Sequence, residues 1–199
     1  ERASTARRGK WVKGPGEAFF QAVREALGGL PLLAEDLGEI NARVHSLRKR
    51  LDLPGMRVLQ FGFGAIDSDH SPHRHQPRSA VYTGTHDNDT TRGWFAHVGD
   101  DERRRILTYL GATPATITAA MIRAAYGSVA ELAILPLQDV LDLGSESRMN
   151  TPGKEGGNWA WRVRHEDVPD GAAGRMRELA EATARLPGRS GSQGSSWRP

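Results

Sequence analysis

Apolar positions along this chain follow two alternating patterns. Between Gly16 and Leu27, Phe19, Phe20, Val23 and Leu27 recur at spacings of three and four, which predicts an amphipathic helix closed by Gly28-Gly29. An unbroken apolar run follows and predicts a strand at 31–34, ending at Ala34-Glu35-Asp36. Ile40, Val44, Leu47 and Leu51 predict a second helix, stopped by Pro54-Gly55. A second strand is predicted at 56–61 and ends in glycines, and a loop rich in Pro, His and Ser runs from Asp67 to Ser79. A third strand, 80–83, leads into a polar turn. Helices are predicted over Asp100 to Leu110 and from Pro114, in a first turn, to about Tyr126. The fourth strand, 132–136, is followed by a long Gly-containing loop at 144–162 and a helix over Ala172 to Leu186.

Strands separated by helices of ten or more residues imply parallel crossovers, and strands this apolar are buried on both faces. Polar residues cluster directly after the apolar runs, at Glu35-Asp36, His86-Asp87 and Gln138-Asp139. In a β/α barrel that edge carries the active site, one strand end contributing one residue. A doubly wound nucleotide-binding sheet would show a glycine fingerprint, but Gly62-Phe63-Gly64 lacks the third glycine and a following helix, and no Walker pattern occurs. The predicted class is therefore α/β, with parallel strands alternating with helices.

The third strand ends in YTGTHDNDTTRGWF, residues 82–95. So many hydrogen-bonding side chains between a short strand and an aromatic pair suit a polar ligand. Carboxylates at separate strand ends, with Trp11, Trp94, Trp159 and Trp161 in polar surroundings, fit a carbohydrate: its hydroxyls bond to carboxylates and amides while its C–H faces pack on aromatic rings. Core packing is the competing reading of the tryptophans, above all of Trp94 in a first helical turn. HSPHRH, with His70, His73 and His75, offers imidazoles near His86 and Asp87, but no HExxH or comparable zinc spacing exists, so neither a metal nor a cofactor is expected. No G-x-S-x-G elbow supports serine chemistry.

The 199 residues carry a formal charge of +3, and the basic residues are mostly arginine. The clusters Arg48-Lys49-Arg50 and Arg103-Arg104-Arg105 sit in helical patterns and are not interleaved with aromatics, so no nucleic-acid partner is expected. No window is long and apolar enough to suggest a membrane partner, and the absence of cysteine is compatible with a cytoplasmic location. The Gly/Ser/Arg stretch at 187–199 is expected to be disordered, leaving 1–186 as one folding unit.

Five segments together resemble a known family: KWVKGPGEAFF at 10–20, AEDLGEI at 34–40, LPGMRVLQFGFG at 53–64, VYTGTHDNDTTRGWF at 81–95, and AILPLQDVLDLGSESRMNTPG with NWAWR between 133 and 162. They are similar to the amylomaltases, the 4-alpha-glucanotransferases that disproportionate maltodextrins. The resemblance implies the C-terminal portion of a TIM (β/α)8 barrel, from about the fifth strand onward, and retaining transfer on α-1,4-glucans. It implies that Glu35 is the general acid/base and that Asp87 stabilises the charged transition state. His86 then bonds a substrate hydroxyl, and Asp36, Asn88, Asn150 and Trp94 are expected at the sugar. As acid, Glu35 must hold a proton before attack, while Asp87 must stay ionised. The family's nucleophile, in an Arg-x-Asp-His type motif upstream of KWVKGPG, has no match here, so the chain is expected to be a fragment that requires the N-terminal part of the same barrel. A noncatalytic α-glucan-binding remnant is the alternative. The loop at HSPHRHQP departs from the family, with Arg74 where an asparagine usually follows Pro-His.

Overall fold

The computed structural model describes residues 12–38 and 40–186, so Trp11, Glu39 and the 187–199 tail lie outside the described residues. Three strands, β1 (Gly55–Val58), β2 (Ser79–Tyr82) and β3 (Leu132–Ile134), form one sheet in the order β1-β2-β3 with both pairings parallel. Arg57 stands opposite Val81 and Val81 opposite Ala133, while Val58 stands opposite Tyr82 and Tyr82 opposite Ile134. Successive side chains leave a strand on opposite faces. Val81 and Ala133 accordingly enter the core, and Met56, Tyr82 and Ile134 turn to the other face, where they line a cleft.

The core lies between the sheet and the helices that connect β2 to β3: α3 (Thr91–His97), α4 (Asp100–Leu110) and α5 (Ile117–Tyr126). Phe95, Ile106, Ile117 and Met121 from these helices meet Leu59, Phe63 and Val81. Leu59, Ile106 and Met121 are fully buried, each contributing on the order of 1.5–3 kcal/mol by leaving water. Thr90 accepts from Gly93 N at the start of α3, Asp100, Asp101 and Glu102 occupy the first turn of α4, and Gly111 closes α4 in the left-handed region at φ 58°. Pro114 opens a 3-10 turn, Pro114–Thr116, that leads into α5. Outside this layer are α1 (Glu17–Leu27), α2 (Ala42–Arg50), the single-turn α6 (Leu137–Val140) and α7 (Gly171–Ala182). Neither α1 nor α2 buries a residue.

The strand predicted at 31–34 does not form. Pro31 lacks an N–H, Leu32 N bonds back to Leu30 O at 2.8 Å, and Ala34 N reaches Pro54 O at 2.9 Å just before β1. The outward donors of β1 are taken by side chains instead of by a neighbouring strand: Met56 N donates to Asp36 Oδ1 at 2.7 Å, and Val58 N to His70 Nδ1 at 3.0 Å. β2 has the predicted length, displaced by one residue, while β1 and β3 are shorter than predicted. β1 passes at Leu59 into a 3-10 turn, and β3 stops before Pro136, which caps α6. No α-helix connects β1 to β2; 3-10 turns at Leu59–Gly62 and Pro72–Arg74 serve in the Pro-containing loop. The last helix ends at Ala182, four residues earlier than its apolar pattern suggests. No helix among the described residues is long and apolar enough to cross a membrane.

Candidate active site

The turn after β2 is built by its own side chains. Asn88 Oδ1 accepts from both Thr85 N and Thr85 Oγ1 at 2.9 Å, and Thr85 Oγ1 in turn accepts from Asp87 N at 3.3 Å. This turn keeps the backbone donors satisfied at a strand end and leaves His86 and Asp87 facing outward, their side chains about half exposed. Gln60, from the end of β1, passes beneath Gly84 to bond Asp89 O at 2.9 Å. A Cβ on Gly84 would lie 2.8 Å from the Gln60 amide nitrogen, so any larger residue there would displace the Gln60 side chain from its bond to Asp89. Beneath the turn, the buried Asp139 carboxylate of α6 accepts from Thr83 Oγ1, from Thr91 N at 2.7 Å and from Thr91 Oγ1 at 2.8 Å. Burial pushes the Asp139 carboxyl up, against the pull of these donors.

Residues 148–159 close over the same turn. Arg148 donates from Nη2 to Asp87 O at 2.7 Å and from Nε to Asn150 O at 2.8 Å. Asn150 N bonds His86 O at 3.1 Å, and its side-chain amide donates to Asp87 Oδ1 at 2.6 Å. His86 Nε2 lies 3.3 Å from the same oxygen. Asp87 thus has its Oδ1 held by the Asn150 amide, with the His86 ring beside it. Trp159 packs on His86 with ring centroids 5.1 Å apart. Its backbone is left-handed at φ 59°, which costs a non-glycine residue roughly 1–2 kcal/mol, and it is secured by Trp159 N donating to Met149 O at 2.7 Å.

Glu35 reaches the cleft from the loop before α2. It is exposed, makes no hydrogen bond to a described residue, and raises the phenol of Tyr82 as a secondary effect behind burial. Its neighbour points the other way. The Asp36 side chain is 3% exposed, and besides bonding Met56 N it lies 3.2 Å from Arg48 Nε and 3.8 Å from Arg57 Nη1. The Arg48 contact is ionic without the alignment of a hydrogen bond, since Arg48 Nε has no hydrogen-bond partner. Asp36 is committed to holding its loop against β1, and a Cβ on Gly55 would strike its carboxylate at 2.5 Å.

Of the residues singled out in the sequence, Glu35, His86, Asp87 and Asn88 line one cleft of about 1140 Å³, and Asn150 touches it through Asp87. Asp36 and Trp94 are not brought to it: Trp94 packs against the core, 6.2 Å from Phe63. The histidines of HSPHRH are spent on structure. His75 bonds Ser128 Oγ at 2.7 Å and His70 O at 2.9 Å, and His73 bonds the Tyr109 hydroxyl at 2.9 Å. Among the described residues no group of three His, Asp or Glu is placed to hold a metal ion. The cleft also contains Phe61, half exposed and edge-on to His70 at 5.5 Å, together with Arg148 and Trp159. Sequence reasoning gave Phe61 no role; Arg148 was signalled by its place two positions before Asn150, in the loop where the resembled family shapes its substrate groove. Glu35, Asp87 and Asp89 outnumber the guanidinium of Arg148, which already serves two carbonyl oxygens. Such a cleft repels anions and offers hydrogen bonds to a neutral polyol, with aromatic rings for its apolar faces.

The comparisons with known proteins agree with one another. The family model described as 4-alpha-glucanotransferase matches residues 1–167. The 4-alpha-glucanotransferase of Thermus thermophilus is 46% identical over 191 residues, covering 92% of this chain and 38% of that protein. The chloroplastic/amyloplastic enzyme of Solanum tuberosum is 44% identical over 183 residues, covering 89% and 32%. The amylomaltase of Streptococcus agalactiae, solved in complex with acarbose, superposes with a TM-score of 0.86 at 35% identity, covering 92% of this chain and 38% of that one. This chain therefore spans about a third of the length of these relatives, and within that span it is a member of the 4-alpha-glucanotransferase family.

Proposed function

We propose that the protein carrying this chain is a retaining 4-alpha-glucanotransferase that moves α-1,4-glucan segments between maltodextrins. The observation that carries this reading is the meeting of Glu35 and Asp87 on one cleft, from loops at two separate places in the chain. Glu35 protonates the departing glycosidic oxygen and then, as carboxylate, takes the proton from the incoming 4-hydroxyl. Asp87 lies against the developing oxocarbenium charge, its position kept by Asn150 and by the Arg148 bond to its backbone. His86 bonds a hydroxyl of the same sugar. Asn88 spends its carbonyl oxygen on Thr85, which leaves its amide to donate to substrate. Asp36 and Trp94 serve as anchors beneath the site.

Retention needs a nucleophilic carboxylate about 5 Å from the acid. In this reading it comes from the portion of the relatives that the chain does not span, along with the earlier strands of a TIM barrel whose later part is formed by residues 1–186. The N-terminal part of that barrel is thus the partner needed for turnover. The reaction is placed in the cytoplasm, a compartment compatible with a cysteine-free chain. The test is to incubate the complete protein with maltotriose and separate the products. Glucose together with longer maltodextrins is expected. Retention on an immobilised α-glucan without any redistribution would overturn transfer in favour of a noncatalytic glucan-binding protein.

A further inference from the structure

Among the tryptophans that stand in polar sequence, the described structure separates one from the rest. Trp94 packs on Phe63, and Trp161 does not line the cleft. Trp159 does line it, is 54% exposed, and sets its indole against His86 with the ring planes 37° apart. Its exposure shows that packing within the described residues does not account for it. Its backbone nevertheless adopts the left-handed conformation that bulky residues avoid, at φ 59°. The surrounding loop over-determines that conformation. Met149 O accepts from Trp159 N, Arg162 Nη1 donates to Trp159 O at 2.9 Å, and Asn158 bonds both Thr151 N at 3.0 Å and Lys154 O at 2.8 Å. A half-open indole carried on a left-handed backbone that the loop holds beside the candidate site is the pattern of a preorganised contact.

From this geometry we infer that Trp159 is a sugar-contact residue, whose open indole face stacks on the C–H face of the glucosyl unit adjoining the one engaged by His86 and Asp87. This rests on the glucan-transfer reading. The imidazole covers only part of the ring, and the cleft beside it is lined by Met149 and Pro152, apolar neighbours suited to the C–H face of a sugar and not to a charged group. A residue that merely buttressed His86 would gain nothing from leaving so much aromatic surface in water.

The experiment uses the complete protein with Trp159→Ala and Trp159→Phe. Initial rates of maltotriose disproportionation are expected to show KM raised about 10-fold by Trp159→Ala, with kcat within about 3-fold of wild type and Trp159→Phe in between. In a Glu35→Gln background, titration with maltoheptaose is expected to change tryptophan emission, and Trp159→Phe to abolish most of that change. An unaltered KM for Trp159→Ala with kcat reduced would overturn the inference and make Trp159 a support for His86. An emission change that survives Trp159→Phe would overturn it equally. A wild-type protein that fails to redistribute maltotriose would sink the transfer reading itself, and the contact role with it. Circular dichroism of Trp159→Phe identifies any variant lost to misfolding, and the milder substitution then carries the measurement.

Discussion

Asp87 owes its setting to Asn150, a residue far along the chain that donates to its Oδ1 at 2.6 Å. Hydrogen bonds to charged groups contribute about 1.5–3 kcal/mol, and this one is half exposed, so the lower end applies. Asn150→Ala in the complete protein should lower kcat/KM for maltotriose by roughly 10-fold, measured by initial glucose release, with the unfolding midpoint little changed. A second residue-scale prediction concerns His75. Its Nε2 faces the carbonyl of His70 and so donates, and in the neutral ring Nδ1 accepts from the Ser128 hydroxyl. Burial lowers the imidazole below its ordinary 6.5. Between that lowered value and 6.5 the unfolded chain binds more protons than the fold, so His75 costs stability as pH falls below about 6.5. His70, also lowered chiefly by burial, acts in the same direction. Asp139, raised by burial above 3.8, acts in the opposite direction, and the comparison with His75→Gln isolates the histidine's share. Denaturant midpoints taken from about pH 7.5 to about pH 5.5 should fall, and less steeply in His75→Gln; equal slopes would contradict the assignment.

At the scale of elements, the outer edge of β1 shows what the sequence could and could not convey. Its apolar run, the runs of β2 and β3, and the helices α1, α2, α4, α5 and α7 were legible from periodicity and from stops such as Gly28 and Pro54, whereas α3 was signalled only by the place of Trp94 after the polar turn. The absence of a strand at 31–34 was not, because the deciding interactions are long-range: Asp36 and His70 bond Met56 N and Val58 N, which a neighbouring strand would otherwise take. The same distance hid the roles of Asp36 and Trp94, whose polar and aromatic character suits a sugar while their partners, Arg48, Arg57 and Phe63, lie elsewhere in the chain. Glu35 and Asp87 were legible through the family resemblance and through their position after apolar runs. Asp36→Ala should therefore act on stability first: leaving Arg48 and Arg57 buried without their carboxylate costs about 3–5 kcal/mol, read as a drop in the unfolding midpoint. A loss of activity at unchanged stability would instead return Asp36 to the sugar.

For the whole molecule, the sheet is open and three-stranded, and Phe19 and Leu27 of α1, which buries no residue, are exposed apolar side chains; under the proposed function they are surfaces for the N-terminal part of the barrel. Residues 1–199 alone should show no redistribution of maltotriose, since a two-step retaining route without its nucleophile has no first step. The central claim is narrower: Glu35 is the acid that releases the leaving group. Its most direct test compares wild-type and Glu35→Gln complete protein on maltotriose and on α-maltosyl fluoride, whose fluoride departs without a proton. The account predicts that Glu35→Gln loses about 100-fold or more on maltotriose yet releases the first equivalent of fluoride, before the base-assisted second step, at a rate near wild type. Equal losses on both substrates, or normal activity on maltotriose, would contradict it.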